Sequence, residues 1–269
     1  MSLETYERTT FAFDGKARTV FRKGTGPAVI VMAEMPGITP KVIEFADRVV
    51  GIGCTAVLPH LFGVPGKDPN EGGRAGALQA MTTVMLPACV SAEFTVLATG
   101  RTSPVISWLR ALAREEHARC GGPGVGAVGM CFTGGFALAM STIPDVVAPV
   151  LSQPSLPLPL TRASRETIDI SAGDLDLVKA RCARDGLQVV GLRFKGDRFV
   201  PPGRFEFLRR HLGDAFVAVE LDDESANPDA AMAPHSCLTE HLIDRPGEPT
   251  HDALQVVLEH FRSRLLVPA

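Results

Sequence analysis

The chain has 269 residues, 45% of them hydrophobic and 21% charged, with a formal net charge of −3. That length buries a full core without disulfide staples. No block of like charges marks a nucleic acid or an anionic membrane surface as a partner. Residues 1–10 lack an apolar secretory core, and no apolar run reaches the ~18 residues of a spanning helix. Six cysteines without a CxxC motif then read as reduced thiols in a cytoplasmic protein.

Residues 9–20 form two extended runs around Asp14-Gly15, a hairpin turn signal. The continuous apolar run Ala28-Val29-Ile30-Val31-Met32 is expected as a strand covered on both faces. It ends in the loop Ala33-Glu34-Met35-Pro36-Gly37. Residues 41–50 have helical spacing and stop at Gly51, and Thr55-Ala56-Val57-Leu58-Pro59 is the next strand. Residues 60–100 have no clean period. They read as an insertion, partly helical near 76–85, that covers a site.

Ser103-Pro104 opens an amphipathic helix over 105–119, and the glycine-rich turn 120–124 leads into a buried strand at 125–130. Beyond it lie a helix rich in Ala, Leu and Met, a strand at 146–151, a proline-rich connection at 153–160 and a helix at 175–184. A strand at 187–194, a helix at 201–212, a strand at 215–221 and a helix at 253–266 complete the chain. Alternating strands and helices specify one α/β domain spanning 1–269, a doubly wound and mostly parallel sheet with helices on both faces. Ligands bind such sheets beyond the carboxyl ends of the strands. Glu34, His60, Cys131, Gln153 and Asp197 each follow a predicted strand, so they are expected to share one rim.

The stretch Gly129-Met130-Cys131-Phe132-Thr133-Gly134-Gly135 places a cysteine where a strand turns sharply into a helix. Such a corner exposes its residue and aims free N–H groups at whatever that residue attacks. It departs from G-x-S-x-G in two ways: Cys131 stands for Ser, and Thr133 for the second Gly. A cysteine nucleophile needs a base and a group that orients the base. Asp197 follows a hydrophobic strand and His235 follows the next strand by a polar loop, in the order nucleophile, acid, histidine. Among seven histidines, His60 and His241 are the rivals of His235, with His241 in a stretch, 237–243, expected to be helical.

These motifs, with Gly196-Asp197-Arg198-Phe199-Val200-Pro201, His235-Ser236 and the Glu34 loop, resemble the dienelactone hydrolase family over most of the chain. The resemblance implies a single-domain α/β-hydrolase fold with a Cys131–His235–Asp197 triad. It implies cleavage of an ester or lactone through a Cys131 thioester, with the oxyanion held by the backbone N–H groups of Phe132 and Met35. It also implies that Glu34 contacts the resting thiol and restrains its ionisation. One feature departs from the family: neither Ser236-Cys237-Leu238-Thr239 nor the segment between Arg74 and Arg101 supplies an arginine. A carboxylate clamp is therefore not expected. A less charged acyl substrate is, in a pocket that Phe62, Met81, Met85 and Phe94 could line.

Other classes are weaker. His235, Cys237, His241 and His251 do not have a standard zinc spacing, so no metal is expected. The first strand does not lead into G-x-G-x-x-G, so no dinucleotide or other cofactor is expected. The non-catalytic alternative is a hydrolase-fold protein that binds a small ligand or partner without turnover. Oligomeric state is not legible.

Overall fold

The structure is a computed structural model that describes residues 2–69, 71, 82–84, 91 and 93–266. Eight strands form one sheet in the order β1-β2-β4-β3-β5-β6-β7-β8. The hairpin β1 (Glu7–Phe13) and β2 (Lys16–Lys23) turns through Asp14 and Gly15, both at positive φ, as a two-residue turn of this type requires. β2 also pairs antiparallel with β4 (Thr55–Pro59). The other pairings are parallel and join β3 (Ala28–Met32), β5 (Val125–Met130), β6 (Val146–Ser152), β7 (Val189–Phe194) and β8 (Phe216–Leu221). β3, β4, β5 and β7 are buried at every residue, which explains their continuous apolar sequences.

The strands sort their side chains onto two cores. Ile30 and Met32 face one core with helices α2 (Val105–Cys120), α3 (Phe136–Met140), α5 (Ala172–Asp185) and α6 (Pro202–Leu212). Val29 and Val31 face the other with α1 (Pro40–Gly51) and α7 (Pro249–Leu265). A four-residue helix, α4 (Arg162–Arg165), was not legible as an element. Its capping pair, Thr161 and Ser164, is a local signal only.

Two expectations need correction. The stretch 237–243 forms turns, not a helix. The hydroxyls of Ser236 and Thr239 bond to Glu34, which ties this segment to β3 and overrides its local helical spacing. Phe62 and Phe94 do not line the pocket. Phe94 packs on Phe132 and Phe136 with centroids 5.1 and 6.2 Å apart, and Phe62 lies 5.7 Å from Phe132. The covering segment thus anchors its aromatic side chains under the elbow. The helix expected near 76–85 lies outside the described residues except for Thr82, Thr83 and Val84, and Met81 and Met85 lie outside them entirely.

Register brings the functional residues together. Met32 pairs with Gly129, Met130 with Ser152, and Ser152 with Leu192. Glu34, Cys131, Gln153 and Asp197 therefore emerge side by side at the carboxyl edge of the sheet.

Candidate active site

At the end of β5 the chain enters a 3-10 turn, Cys131–Thr133, and Cys131 takes φ 53°. A non-glycine residue held at positive φ is strained, and it persists only where its surroundings enforce it. The enforcement is visible. A Cβ on Gly129 would run into the Thr133 carbonyl, and one on Gly134 into the Pro154 backbone. The Thr133 hydroxyl accepts the Met130 N–H at 2.9 Å and lies 2.9 Å from the Met32 carbonyl, to which it can donate. Thr133 thus locks the elbow of β5 to the end of β3, the strand that leads to Glu34 and Met35. That gives a physical reason for threonine at the position where the elbow motif has a second glycine.

His235 is buried, and its Nδ1 is 2.7 Å from Asp197 Oδ2. His235 and Cys131 line the same cavity, and the sulfur is close enough to act on the ring's proton affinity. Asp197 Oδ1 accepts the Phe199 N–H at 2.9 Å, which fixes the carboxylate. Burial pushes the His235 pKa down, but the neighbouring Cys131 side chain and the hydrogen bond to Asp197 outweigh it and hold the pKa well above the ordinary imidazole value. The sulfur and the carboxylate thus both favour the protonated form of the ring.

The rival histidines have other work. His241 Nδ1 accepts the Ser236 N–H at 3.1 Å, and its Nε2 is 3.0 Å from the Met232 carbonyl. This arrangement fixes a neutral tautomer, and burial pushes the His241 pKa down. His241 braces the loop that carries His235. His60 sits 2.9 Å from the Gly63 carbonyl and does not line the cavity. Of the residues considered as a metal set, Cys237 contacts the His235 carbonyl and His251 contacts Asp244, so the four side chains have separate partners.

Glu34 is buried, and its carboxylate accepts hydrogen bonds from Ser236 at 2.6 Å, from Gln153 Nε2 at 3.1 Å and from Thr239. Gln153 Oε1 in turn accepts the Cys237 N–H at 3.3 Å. Buried carboxylates need such donors to offset lost hydration. In this network Glu34 ties the histidine loop to β3 and β6. No described hydrogen bond joins it to Cys131.

A cavity of about 330 Å³ opens over Cys131. Its walls include Phe132, Leu156, Leu158, Phe199 and Met232, and Met35 and His235 also face it. The Met35 N–H makes no hydrogen bond to any described group. Arg204, which sequence reading missed, shapes one wall from behind. Its fully buried guanidinium donates to the carbonyls of Pro154 at 2.7 Å, Leu156 at 2.9 Å and Ser164 at 3.3 Å, and also to Pro157. Burial lowers its pKa to about 10, opposed by Asp197, Cys131 and Asp169. Only a position in the first turn of a charged helix marks it in the sequence, and that position ordinarily faces solvent.

The described cavity lining contains two carboxylates, Glu34 and Glu240, and no Lys or Arg. Glu240 was also missed. It is half-buried, and burial together with the charge of Glu34 raises its pKa.

The strand order and the elbow on the central strand define a protein of the α/β-hydrolase class. The sequence pattern of the dienelactone hydrolase family matches residues 16–188, and the chain belongs to that family. The match takes in Glu34 and Cys131 and stops short of Asp197 and His235. Among solved structures, a Klebsiella pneumoniae protein assigned as a dienelactone hydrolase is similar at TM-score 0.60 and 17% identity, over 95% of this chain and 97% of that one. A dienelactone hydrolase-like promiscuous phosphotriesterase from metagenomic libraries follows at TM-score 0.59 and 16% identity, over 97% and 98%. A cold-adapted esterase from an Arctic intertidal metagenomic library gives 0.55 and 14%, over 97% and 94%. Curated protein sequences give no match. No helix among the described residues is long and apolar enough to cross a membrane.

Proposed function

We propose that the protein hydrolyses a small carboxylic ester or lactone through a thioester on Cys131. The carrying observation is the placement of His235, whose Nδ1 is 2.7 Å from Asp197 Oδ2 and which lines the same cavity as Cys131. The thiolate attacks the carbonyl carbon, and the carbonyl electron pair moves onto oxygen. The N–H groups of Phe132 and Met35 hold that oxyanion. The intermediate collapses as the C–O bond breaks, and the His235 proton goes to the leaving alkoxide. His235, now neutral, takes a proton from water as the water attacks the thioester. Cys131 leaves as thiolate, and the imidazolium is restored. Asp197 keeps the ring in the tautomer that both steps use.

Glu34 has two readings in this scheme. A carboxylate near the sulfur opposes thiolate formation, and a carboxylate tied to Ser236 and Thr239 braces the base. The hydrogen bonds favour the brace. Thiol alkylation against pH in wild type and Glu34→Gln separates them: a shifted profile supports restraint of the thiol, and an unshifted one with a lower kcat supports the brace.

Burst kinetics test the function. An activated aryl ester is expected to release a burst of product stoichiometric with enzyme, lost in Cys131→Ala. Absence of both turnover and thiol labelling would favour a binding protein instead.

A further inference from the structure

We propose that Glu240 makes the cavity selective by charge, so that the natural acyl substrate is neutral or cationic and carboxylate-bearing esters are rejected. This rests on the hydrolase reading of the same cavity and names the class of substrate that it takes. Glu240 lines the cavity that holds Cys131 and His235. The described lining carries two carboxylates but no Lys or Arg, so it offers a second anion only hydroxyls, the histidines and the N–H groups that serve the reacting carbonyl.

The surroundings of Glu240 reinforce this. Glu34 lies deeper in the same cavity and is already saturated with Ser236, Thr239 and Gln153. Asp68 and Glu44 add negative charge around Glu240, and Lys41 is the cation that acts on it. Lys41 is 3.1 Å from Glu44, so its charge is shared. Among the described residues no side chain pairs with the Glu240 carboxylate, which lines the cavity. Interactions between charges strengthen where water is thinned out, and the walls here are apolar. An anion entering this cavity loses hydration and meets like charge, whereas an ammonium group on the substrate meets a counter-ion.

The test compares two methanethiosulfonate reagents of similar size, one carrying a trimethylammonium group and one a sulfonate. Each transfers its thioalkyl group to a thiolate and releases methanesulfinate, so the measurement needs no ester turnover. Rates at Cys131 are followed by peptide mass spectrometry, which separates it from the other cysteines. In Glu240→Gln the cationic-to-anionic rate ratio is expected to fall about tenfold, which corresponds to about 1.4 kcal/mol. Glu240→Lys is expected to invert the preference, and Glu240→Asp to keep it. A ratio unchanged in Glu240→Gln and Glu240→Lys overturns the proposal. A matched pair of aryl esters, 4-nitrophenyl butyrate and its carboxylate analogue 4-nitrophenyl hemisuccinate, gives the consequence for turnover: the anionic-to-neutral kcat/KM ratio should rise in Glu240→Gln. Ester hydrolysis that survives Cys131→Ala would sink the thioester mechanism and leave the reagent test of Glu240 standing on its own.

Discussion

At Cys131 a backbone at positive φ, a 3-10 turn and the His235 imidazole meet beside one cavity. The proton on His235 is supported by Cys131 itself as well as by Asp197. Removing the thiol therefore has a measurable consequence: in Cys131→Ala, the His235 ring should titrate at lower pH than in wild type, as read by nitrogen NMR. An unchanged titration would mean that the sulfur does not face the ring. Asp197→Asn keeps the shape but lets the ring flip to the wrong tautomer, and should lower kcat by about 10²–10⁴.

Legibility at this scale followed from position along the strands. Cys131 and Asp197 stand where parallel strands end and His235 follows the last strand by a polar loop, in the order that the architecture uses, so sequence alone could place them on one rim. Glu240 and Arg204 could not be found that way. One sits in a run of turns held by Glu34 and Gln153 from the loops after β3 and β6, and the other is a helical arginine whose burial depends on four carbonyls from another segment. His60 follows β4 at the same edge as expected, but its ring bonds the Gly63 carbonyl and does not line the described cavity.

Among the elements, the elbow and the loop after β3 work as one unit joined through Thr133. Thr133→Val keeps the volume and removes both the acceptor for Met130 N–H and the donor near Met32. Leaving these buried groups unpaired costs about 1–3 kcal/mol, so the melting temperature should drop. Because the unit carries Cys131 and Met35, kcat should fall further than stability alone explains. Thr133→Ser restores the hydroxyl and should recover both. A Thr133→Val protein with wild-type kcat would remove the coupling from the account.

The covering segment taught a different lesson about elements. Its aromatic residues were legible as apolar, but not as the floor under Phe132. Phe62 and Phe94 have no period that says which partner they find, and the partner is an elbow some 40–70 residues on in sequence.

For the whole molecule, two cores sandwich one sheet, and the covering segment returns to it through Ser103. The Ser103 hydroxyl donates to Asp169 at 2.7 Å and accepts the Thr95 N–H at 2.8 Å. Asp169 is buried, its Oδ1 has no partner among described groups, and burial raises its pKa to about 7. In the unfolded chain it titrates near 3.9. The folded state therefore binds this proton more tightly. The stabilisation is complete below about pH 4 and is lost as pH rises through about 7. Three units correspond to no more than about 4 kcal/mol. Thermal melts from pH 4 to 8 should show a difference between wild type and Asp169→Asn that grows in the variant's favour as pH rises. A constant difference would mean that Asp169 is ionised throughout.

The central claim is a covalent acyl group on Cys131, and intact-mass spectrometry of the protein mixed with 4-nitrophenyl butyrate and quenched in acid tests it most directly. The account predicts a mass gain of one butyryl group in wild type, mapped to the peptide that carries Cys131 and absent from Cys131→Ala. Steady turnover of the ester with no adduct on Cys131, undiminished in Cys131→Ala, would contradict it.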